Sequence, residues 1–173
     1  MITIGIDPGK DGFVSVLEDG EYSHSWPTPM RTLDNGKTAY SVWAMKALLS
    51  PYSQDWERYN DPDKPLVILE KQQSFHKQGV VSTFSTGQGY GLWEGILVGL
   101  GMRYEIVTAK AWQKDITKDV PGDDPKARSI LACSRLFSDV DLRRTPRCTT
   151  PHDGKADSIL IAWYGHNFLA QKD

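Results

Sequence analysis

Four carboxylate residues stand where structural elements of the chain are expected to begin or end, and their oxygens could hold divalent cations. Asp7 follows the apolar run ITIGI, and Glu70 follows the apolar run LVIL. Asp153 and Asp157 are four residues apart, so they lie on one face of a helix. Carboxylates are hard ligands suited to Mg²⁺ or Mn²⁺, and two such ions about 4 Å apart can activate water and stabilise the leaving oxygen of a phosphodiester. The four acids therefore indicate metal-dependent phosphodiester chemistry.

Three of these acids also have an ordinary structural explanation. The stretch GIDPGKDG at 5–12 fits a β-turn between two strands, because Pro-Gly and Asp-Gly both favour turns. Glu70 could simply mark the end of a strand, and the helix dipole favours Asp153 in a first helical turn. Asp157 is explained less well, since Ile161 continues its helix face into an apolar region. Two like charges on an inward face are destabilising unless a cation neutralises them.

The pattern of apolar residues predicts the elements that position these acids. Segments 27–37 and 50–65 are predicted as loops. The order of the predicted strands and helices indicates one α/β domain over residues 1–173, with a mixed five-stranded sheet (three antiparallel strands, then parallel ones) and helices on both faces. If the first and fourth strands are neighbours, Asp7 and Glu70 emerge at the same edge of the sheet. The predicted strands are 2–6, 12–17, 21–26, 66–69 and 103–107, and the predicted helices are 39–49, 87–101, 109–116, 125–137 and 151–169.

Composition and charge bound the function classes. The chain has 173 residues with 20 Lys and Arg against 22 Asp and Glu, so its net charge does not indicate a polyanionic partner. The charges are segregated, with net −4 over residues 1–62 and net +3 over residues 110–147, which fits a carboxylate site surrounded by cations. Cys133 and Cys148 show no zinc-binding spacing and require no disulfide. No apolar run approaches the ~18 residues of a membrane span, and no signal-type segment is present, so we expect a soluble intracellular protein without a membrane partner.

Three motifs, in order along the chain, resemble those of the RuvC family of Holliday junction resolvases. They are the opening IGIDPG, an apolar strand ending in Glu, and HDGKADSILIA in the final helix. The stretches FSTGQGYGLWEGILVGLG, VTAKAWQKDI and HDGKADSILIAWYG are more similar to the phage, bacterial and plant chloroplast branch of that family. The resemblance spans nearly the whole chain. It implies an RNase H-like fold, a homodimer, and an endonuclease that resolves four-way DNA junctions in recombination and repair by paired symmetric nicks near the crossover. It leaves cytoplasm, nucleoid, a phage-infected cell or an organelle open as the location.

The resemblance also assigns roles to the acids. Asp7 resembles the first-strand metal ligand, Glu70 the strand-end ligand that can serve both metals, and Asp157 the acid of the last helix. Bacterial RuvC tends to carry its other helix acid three residues earlier, where this chain has Gly154, so Asp153 is the candidate for the fourth ligand. The resemblance thus implies two Mg²⁺ or Mn²⁺ ions per site and no nucleotide cofactor.

Two further residues are candidates for a part in catalysis. Lys114, in AWQKD, resembles the lysine that contacts the scissile phosphate or stabilises the charge developing on it. Its ordinary explanation is an exposed helix lysine. His152 is a minor candidate for activating water or completing the site in place of Asp153, and is otherwise a hydrogen-bonding residue at the start of a helix.

The polar, glycine- and serine-rich segment 71–91 is a candidate DNA contact. Aromatic side chains in such a segment can stack on unpaired bases, each contributing about 1–3 kcal/mol. Phe75 resembles the loop aromatic that RuvC-type enzymes place at the crossover, although packing back on the domain would also explain it. The candidate DNA-binding residues are Lys71, Phe75, Lys77, Lys110, Lys118, Arg143, Arg144 and Arg147.

One helix pattern bears on oligomerisation. Trp93, Leu97 and Leu100, together with the small residues Gly95 and Gly99, form a stripe on the predicted helix 87–101. Such a stripe is either part of the core or a dimer interface, and in the family that it resembles this helix lies at the dimer contact. A symmetric dimer would supply two sites for the two opposed strands of a junction.

Two other function classes are compatible with the same residues. A non-catalytic junction-binding protein would keep the fold without cutting, but buried carboxylates without a role are costly. An ATP-dependent enzyme of the actin-like class begins with a similar strand and turn. Such enzymes need two domains around the nucleotide and a second glycine-rich phosphate loop, which this sequence does not supply.

Overall fold

The computed structural model describes residues 1–53, 64–73 and 79–170, and within them the chain forms seven strands and five α-helices. The strands are β1 (Ile2–Ile6), β2 (Phe13–Glu18), β3 (Glu21–Pro27), β4 (Met30–Thr32), β5 (Thr38–Tyr40), β6 (Leu66–Lys71) and β7 (Tyr104–Thr108). The α-helices are α1 (Val42–Leu49), α2 (Val80–Gly99), α3 (Ala109–Ile116), α4 (Pro125–Leu136) and α5 (Asp153–Tyr164). A 3₁₀ turn at Ser50–Tyr52 follows α1, and a π-helical turn at Gly165–Leu169 follows α5. None of the helices in this part of the chain is both long and apolar enough to cross a membrane.

The central sheet has five strands in the order β3-β2-β1-β6-β7. β1 and β3 both pair antiparallel with β2, whereas β6 runs parallel to β1 and to β7. The predicted mixed five-stranded α/β sheet is therefore confirmed. Ile6 lies opposite Leu69 in the register of β1 and β6. Because these two strands are parallel neighbours, the residues that follow, Asp7 and Glu70, lie at the same edge of the sheet.

Helices cover both faces of the sheet and create two hydrophobic cores. α1 and α2 pack on one face, where Val67 and Leu69 of β6 meet the fully buried Trp93. α3, α4 and α5 pack on the other, where Leu66 and Ile68 of β6 are buried in the same core as residues of all three helices. Burial on both faces explains why β6 is an unbroken apolar run rather than an alternating one.

Close packing of α5 on β1 depends on Gly5. A Cβ atom at this position would lie 2.1 Å from the carbonyl oxygen of Ser158 and 2.5 Å from the backbone nitrogen of Ala162, so no larger residue fits without moving the helix. A buried hydrogen bond of 2.6 Å between the hydroxyls of Ser15 on β2 and Ser158 also ties α5 to the sheet. These contacts bring the acidic first turns of α5 beside the end of β1.

The segment predicted as a loop at 27–37 contains part of a small hairpin. Strands β4 and β5 pair antiparallel with Met30 opposite Tyr40. This pairing occupies the first residues of the helix predicted at 39–49, so α1 begins only at Val42, after Ser41. Tyr40 is buried in the core with α2, which fixes the hairpin against the sheet.

Two other helices begin at residues different from those predicted. α2 begins at Val80 rather than near residue 87. The sequence did not predict its first turns because they are rich in glycine and β-branched residues, which have low intrinsic helix propensity. The last helix was predicted to start at Pro151 with Thr150 as its N-cap. Pro151 instead pairs with Arg143 in an isolated bridge, and α5 begins at Asp153.

Candidate active site

Asp7 lies at the end of β1 in the turn that precedes β2. Its backbone N–H donates to the carbonyl oxygen of Phe13 at 3.0 Å, and its Oδ1 accepts a hydrogen bond of 3.3 Å from the Gly9 N–H. Burial, followed by the negative charges of Glu70 and Asp157, raises the pKa of Asp7 well above its ordinary value. The opposing hydrogen bond from Gly9 is a smaller influence. The structure therefore brings the acids of β1, β6 and α5 into one electrostatically coupled group.

Glu70 is held by hydrogen bonds to both of its carboxylate oxygens. The indole Nε1–H of Trp112 donates to Oε1 at 2.9 Å, and the Nε2–H of Gln72 donates to Oε2 at 3.0 Å. Burial raises the pKa of Glu70, while these two hydrogen bonds act in the opposite direction by favouring the ionised form. The two hydrogen bonds therefore fix the orientation of the Glu70 carboxylate.

Asp157 projects from α5 into the same group of acids. Burial raises the pKa of this carboxyl group to about 7, and the charges of Glu70 and Asp153 add to the shift. Its Oδ1 atom is buried and has no hydrogen-bond partner among the residues that the structure describes. Burying a carboxylate oxygen without a partner beside other acids costs free energy, and a bound cation would offset that cost.

Asp153 lies one turn before Asp157 and is paired differently. Its Oδ2 accepts from the Nζ of Lys126 on α4 at 2.6 Å, and its side chain is 31% exposed. Although burial acts to raise the pKa of Asp153, the ion pair with Lys126 outweighs it and the pKa lies below the ordinary value. The ammonium group of Lys126 thus neutralises the one acid of the four that faces the solvent most.

The donor chemistry fits a hard divalent cation. All four groups are carboxylates, two of them have strongly raised pKa values, and one buried oxygen is unpartnered. As their side chains stand, however, no three Asp, Glu, His or Cys residues of the described ranges are arranged so that they could hold an ion. In this arrangement the cation that Asp153 contacts is the ammonium group of Lys126.

Two of the four acids, Asp7 and Asp153, border an open cleft of about 880 Å³. Asp7 and Asp153 line its floor, and the turn after β1, the first turns of α2 and the start of α5 form its walls. Ser82, Ser85 and Thr86 present polar groups from α2. The wide opening suits part of a polymer better than an enclosed small molecule.

No protein-family model matches this sequence, and a search of curated proteins finds no significant match. Solved structures do match. RuvC from Thermus thermophilus aligns with a TM-score of 0.52 and 16% sequence identity over 95% of this chain and 95% of that one. T. thermophilus RuvC in complex with a Holliday junction substrate aligns equally well, over 95% of this chain and 94% of that one.

This chain has the fold of RuvC. The alignment covers almost all of both proteins, so the shared architecture includes the RNase H-like sheet and the helices on both of its faces. The phage, bacterial and chloroplast branch suggested by the sequence motifs stays a prediction, because the structural match does not distinguish branches of the family.

Gly154 lies too close to the turn after β1 to carry a side chain without displacement. A Cβ atom there would lie 2.8 Å from the carbonyl oxygen of Asp11 and 2.9 Å from Oδ2 of Asp7. An acidic side chain at 154 would therefore push the turn after β1 away from α5. The assignment of Asp153 as the fourth metal ligand stays a prediction.

We expect Gly154→Ala to weaken divalent-metal binding and any metal-dependent cleavage by roughly 10- to 100-fold, because the added methyl group displaces the Asp7 carboxylate. Calorimetric titration with Mn²⁺ measures the first effect. Gly99→Ala is the control, since a Cβ at that position meets no atom within 4 Å. Equal metal affinity in the two variants would contradict the steric explanation.

Lys114 lies in a different depression from the acids. It lines a basic groove of about 250 Å³ with Lys110, Lys118 and Arg128, on the side of α3 that faces the start of α4. Arg128 itself is occupied, donating to the carbonyl oxygens of Thr117 and Val120. The structure therefore places Lys114 outside the acid cleft, and its contact with a scissile phosphate stays a prediction.

The predicted arginines before α5 have partners within the protein. Arg143 makes a two-pronged ion pair with Asp141, with its Nη2–H donating to Oδ2 at 2.8 Å. Arg144 donates to Oδ1 of Asp11 at 3.1 Å and to Nε2 of His152 at 3.4 Å. These contacts support the segment that leads into α5. Arg147 and Lys71 are exposed, and Phe75 and Lys77 lie outside the described residues.

His152 forms part of the wall beside the acids. Its ring packs 5.0 Å from the ring of Phe13, and its Nδ1 lies 3.9 Å from Oδ1 of Asp153, too far for a hydrogen bond. Burial lowers the pKa of His152, which keeps the ring neutral near pH 7. Because Arg144 can only donate, Nε2 is the acceptor and Nδ1 carries the proton. A part for His152 in activating water or completing the site stays a prediction.

Sequence reasoning missed the residues that orient the acids. Trp112 and Gln72 each donate a hydrogen bond to Glu70, yet neither was a candidate site residue. Trp112 looked like an apolar residue of a basic helix, and no spacing in the sequence relates it to β6. Gln72 follows Glu70 by two residues, and this closeness along the chain was the only feature of the sequence that related the two side chains.

Proposed function

We propose that this protein is a metal-dependent endonuclease that resolves four-way DNA junctions by paired nicks near the crossover. The observation that carries the proposal is the coupled group formed by Asp7, Glu70, Asp153 and Asp157 at one edge of the sheet in a RuvC fold. T. thermophilus RuvC, which shares this fold, is known in complex with a Holliday junction substrate.

The four acids would hold two Mg²⁺ or Mn²⁺ ions, and no nucleotide cofactor is needed. When bound, such ions supply an activated water and stabilise the leaving oxygen of a phosphodiester. Glu70 is already oriented by its two hydrogen bonds, and Asp7 and Asp157 have raised pKa values that a nearby positive charge would lower. Asp153 joins the set once Lys126 moves away from it.

The charges around the cleft support a path for the DNA backbone. The α3 groove presents Lys110, Lys114 and Lys118 on one side, and Lys71 is exposed at the end of β6, next to Glu70. Lys126 lines the acid cleft, and a phosphate placed there would offer it an alternative anionic partner. Release of Asp153 would then accompany the arrival of substrate.

The proposed activity is tested with an immobile four-way junction and a linear duplex of matching sequence, each incubated with Mg²⁺ or Mn²⁺. We expect cleavage of the junction but no comparable cleavage of the duplex, with junction binding retained in EDTA. Junction binding without cleavage in either metal would instead support the non-catalytic junction-binding protein. Absence of both would refute the proposal.

We also propose that the protein is a homodimer through an exposed face of α2. Val80, Val81, Phe84 and Val98 are 86%, 84%, 71% and 63% exposed, which is unusual for large apolar side chains. Phe84 and Val98 lie on one face of α2, and between them a Cβ at Gly91 would meet no atom within 4 Å. Trp93 and Leu97, from the stripe noted in the sequence, are fully buried core residues instead.

Val98→Glu is expected to convert the dimer to a monomer, because a two-fold axis places the new charge at the interface twice. Light scattering after gel filtration should give twice the 19.4 kDa chain mass for the wild type and the single chain mass for the variant. Leu136→Glu, at a 44% exposed apolar residue of α4, is the control and should leave the mass unchanged. A monomeric wild type would contradict this interface.

A further inference from the structure

We propose that Trp112 is a positioning residue of the candidate metal site and that its indole N–H fixes the carboxylate of Glu70 for metal binding. This inference rests on the proposed function and deepens it. The Nε1–H donates to Oε1 at 2.9 Å, and the side chain of Trp112 is fully buried. A hydrogen bond to an ionised carboxylate is stronger than one between neutral groups, so this contact limits the rotation of Glu70.

Trp112 is a rigid support because the core surrounds its ring. It belongs to the same buried cluster as Leu66 and Ile68 of β6, the strand that carries Glu70. The other donor to Glu70, Gln72, is only partly buried and lies at the end of β6. Of the two hydrogen bonds, the one from Trp112 therefore fixes the carboxylate more firmly.

A neutral donor is suited to this role. Lysine or arginine could also hold Glu70, but a positive charge paired directly with this carboxylate would compete with a cation for it. The indole N–H orients one oxygen while leaving the negative charge of the carboxylate available. Each carboxylate oxygen has two lone pairs, so Oε1 and Oε2 both retain one after accepting their hydrogen bonds.

Trp93 provides a comparison within the same protein. It too is fully buried, on the opposite face of the sheet, but its Nε1–H has no hydrogen-bond partner among the described residues. Trp93 therefore acts as a large core side chain whose N–H is not used. Substituting each tryptophan by phenylalanine removes the same atoms, and only Trp112→Phe also removes a contact with the site.

The test measures Mn²⁺ affinity without DNA, from the EPR signal of the free ion, for the wild type, Trp112→Phe and Trp93→Phe. We expect Trp112→Phe to weaken Mn²⁺ binding by roughly 10- to 100-fold, the range usual for partners that orient a metal ligand, and Trp93→Phe to leave it within about twofold. Thermal unfolding in EDTA should show a loss of stability for both variants, since both leave a core cavity.

A second variant separates packing from hydrogen bonding. 3-Benzothienylalanine at position 112 has a ring of nearly the same size with sulfur in place of the N–H, and it should weaken Mn²⁺ binding as Trp112→Phe does. Normal Mn²⁺ affinity with this residue, or equal Mn²⁺ affinities in the two phenylalanine variants, would overturn the role of Trp112. Either result would leave the proposed metal-dependent function in place. A wild type that takes up no Mn²⁺ would overturn the proposed metal-dependent function and this inference with it.

Discussion

Asp7→Asn is expected to abolish cleavage of a four-way junction while the variant still binds that junction. The asparagine keeps the shape of the side chain and the contact with the Gly9 N–H. It removes the negative charge of Asp7, which is coupled electrostatically to the acids of β6 and α5. A metal ion contributes several kcal/mol to the stabilisation of the transition state, so we expect a loss of at least about a thousandfold in rate. Single-turnover cleavage in Mg²⁺ and a mobility shift in EDTA measure the two properties separately.

Asp11→Asn is the matched control for this variant. Asp11 lines the same cleft, but its side chain is 89% exposed and pairs with Arg144. An exposed ion pair contributes at most about 1 kcal/mol, so the rate should change by less than about fivefold. Asp7→Asn should also be more stable than the wild type in EDTA. It removes a buried carboxyl group whose ionisation destabilises the folded protein, as the strongly raised pKa of Asp7 indicates. Cleavage by Asp7→Asn at the rate of Asp11→Asn would contradict the assignment of Asp7.

The metal-free protein should lose stability as the pH rises from 5 to 8. The folded protein holds the Asp157 proton up to a pKa of about 7, whereas an unfolded chain releases it near the ordinary value of 3.8. The unfolded state therefore binds fewer protons in this window, and the free energy of unfolding falls with pH. Asp157 alone contributes a loss of about 3 kcal/mol between pH 5 and 8, and the raised pKa values of Asp7 and Glu70 act in the same direction.

His152 acts in the opposite direction, because burial lowers its pKa and the unfolded chain then binds more protons below pH 6.5. The effect of the acids should exceed that of one partly buried histidine. Urea denaturation in EDTA at several pH values measures the trend. We expect Asp157→Asn to flatten it and Mg²⁺ to restore stability at pH 8. A wild type that is more stable at pH 8 than at pH 5 without metal would contradict the coupled acid group.

The sequence predicted the sheet and the positions of the acids because both depend on local patterns. The apolar runs before Asp7 and Glu70 identify strands β1 and β6, and their parallel pairing brings the two ends together. The four-residue spacing of Asp153 and Asp157 places both on α5. These inferences needed no knowledge of side-chain contacts, and in the structure the charges of Glu70, Asp157 and Asp153 all raise the pKa of Asp7.

The contacts between distant elements could not be predicted in the same way. The hydrogen bond from Trp112 to Glu70 joins residues 42 positions apart, and it depends on how α3 packs against the sheet. The collision that a Cβ at Gly154 would make with Asp7 depends on a backbone approach of less than 3 Å. The location of Lys114 in a separate groove likewise follows from helix packing, which spacing along the chain does not encode.

The measurement that tests the central claim most directly maps the nicks on an immobile four-way junction labelled on each of its four strands in turn. In Mg²⁺ or Mn²⁺ we predict nicks on two opposed strands, at equal distances from the crossover, and none with Asp7→Asn. Such a pattern requires two metal-dependent sites related by symmetry. Nicks scattered along all four strands, or cleavage that persists in EDTA, would contradict the account of a metal-dependent junction resolvase.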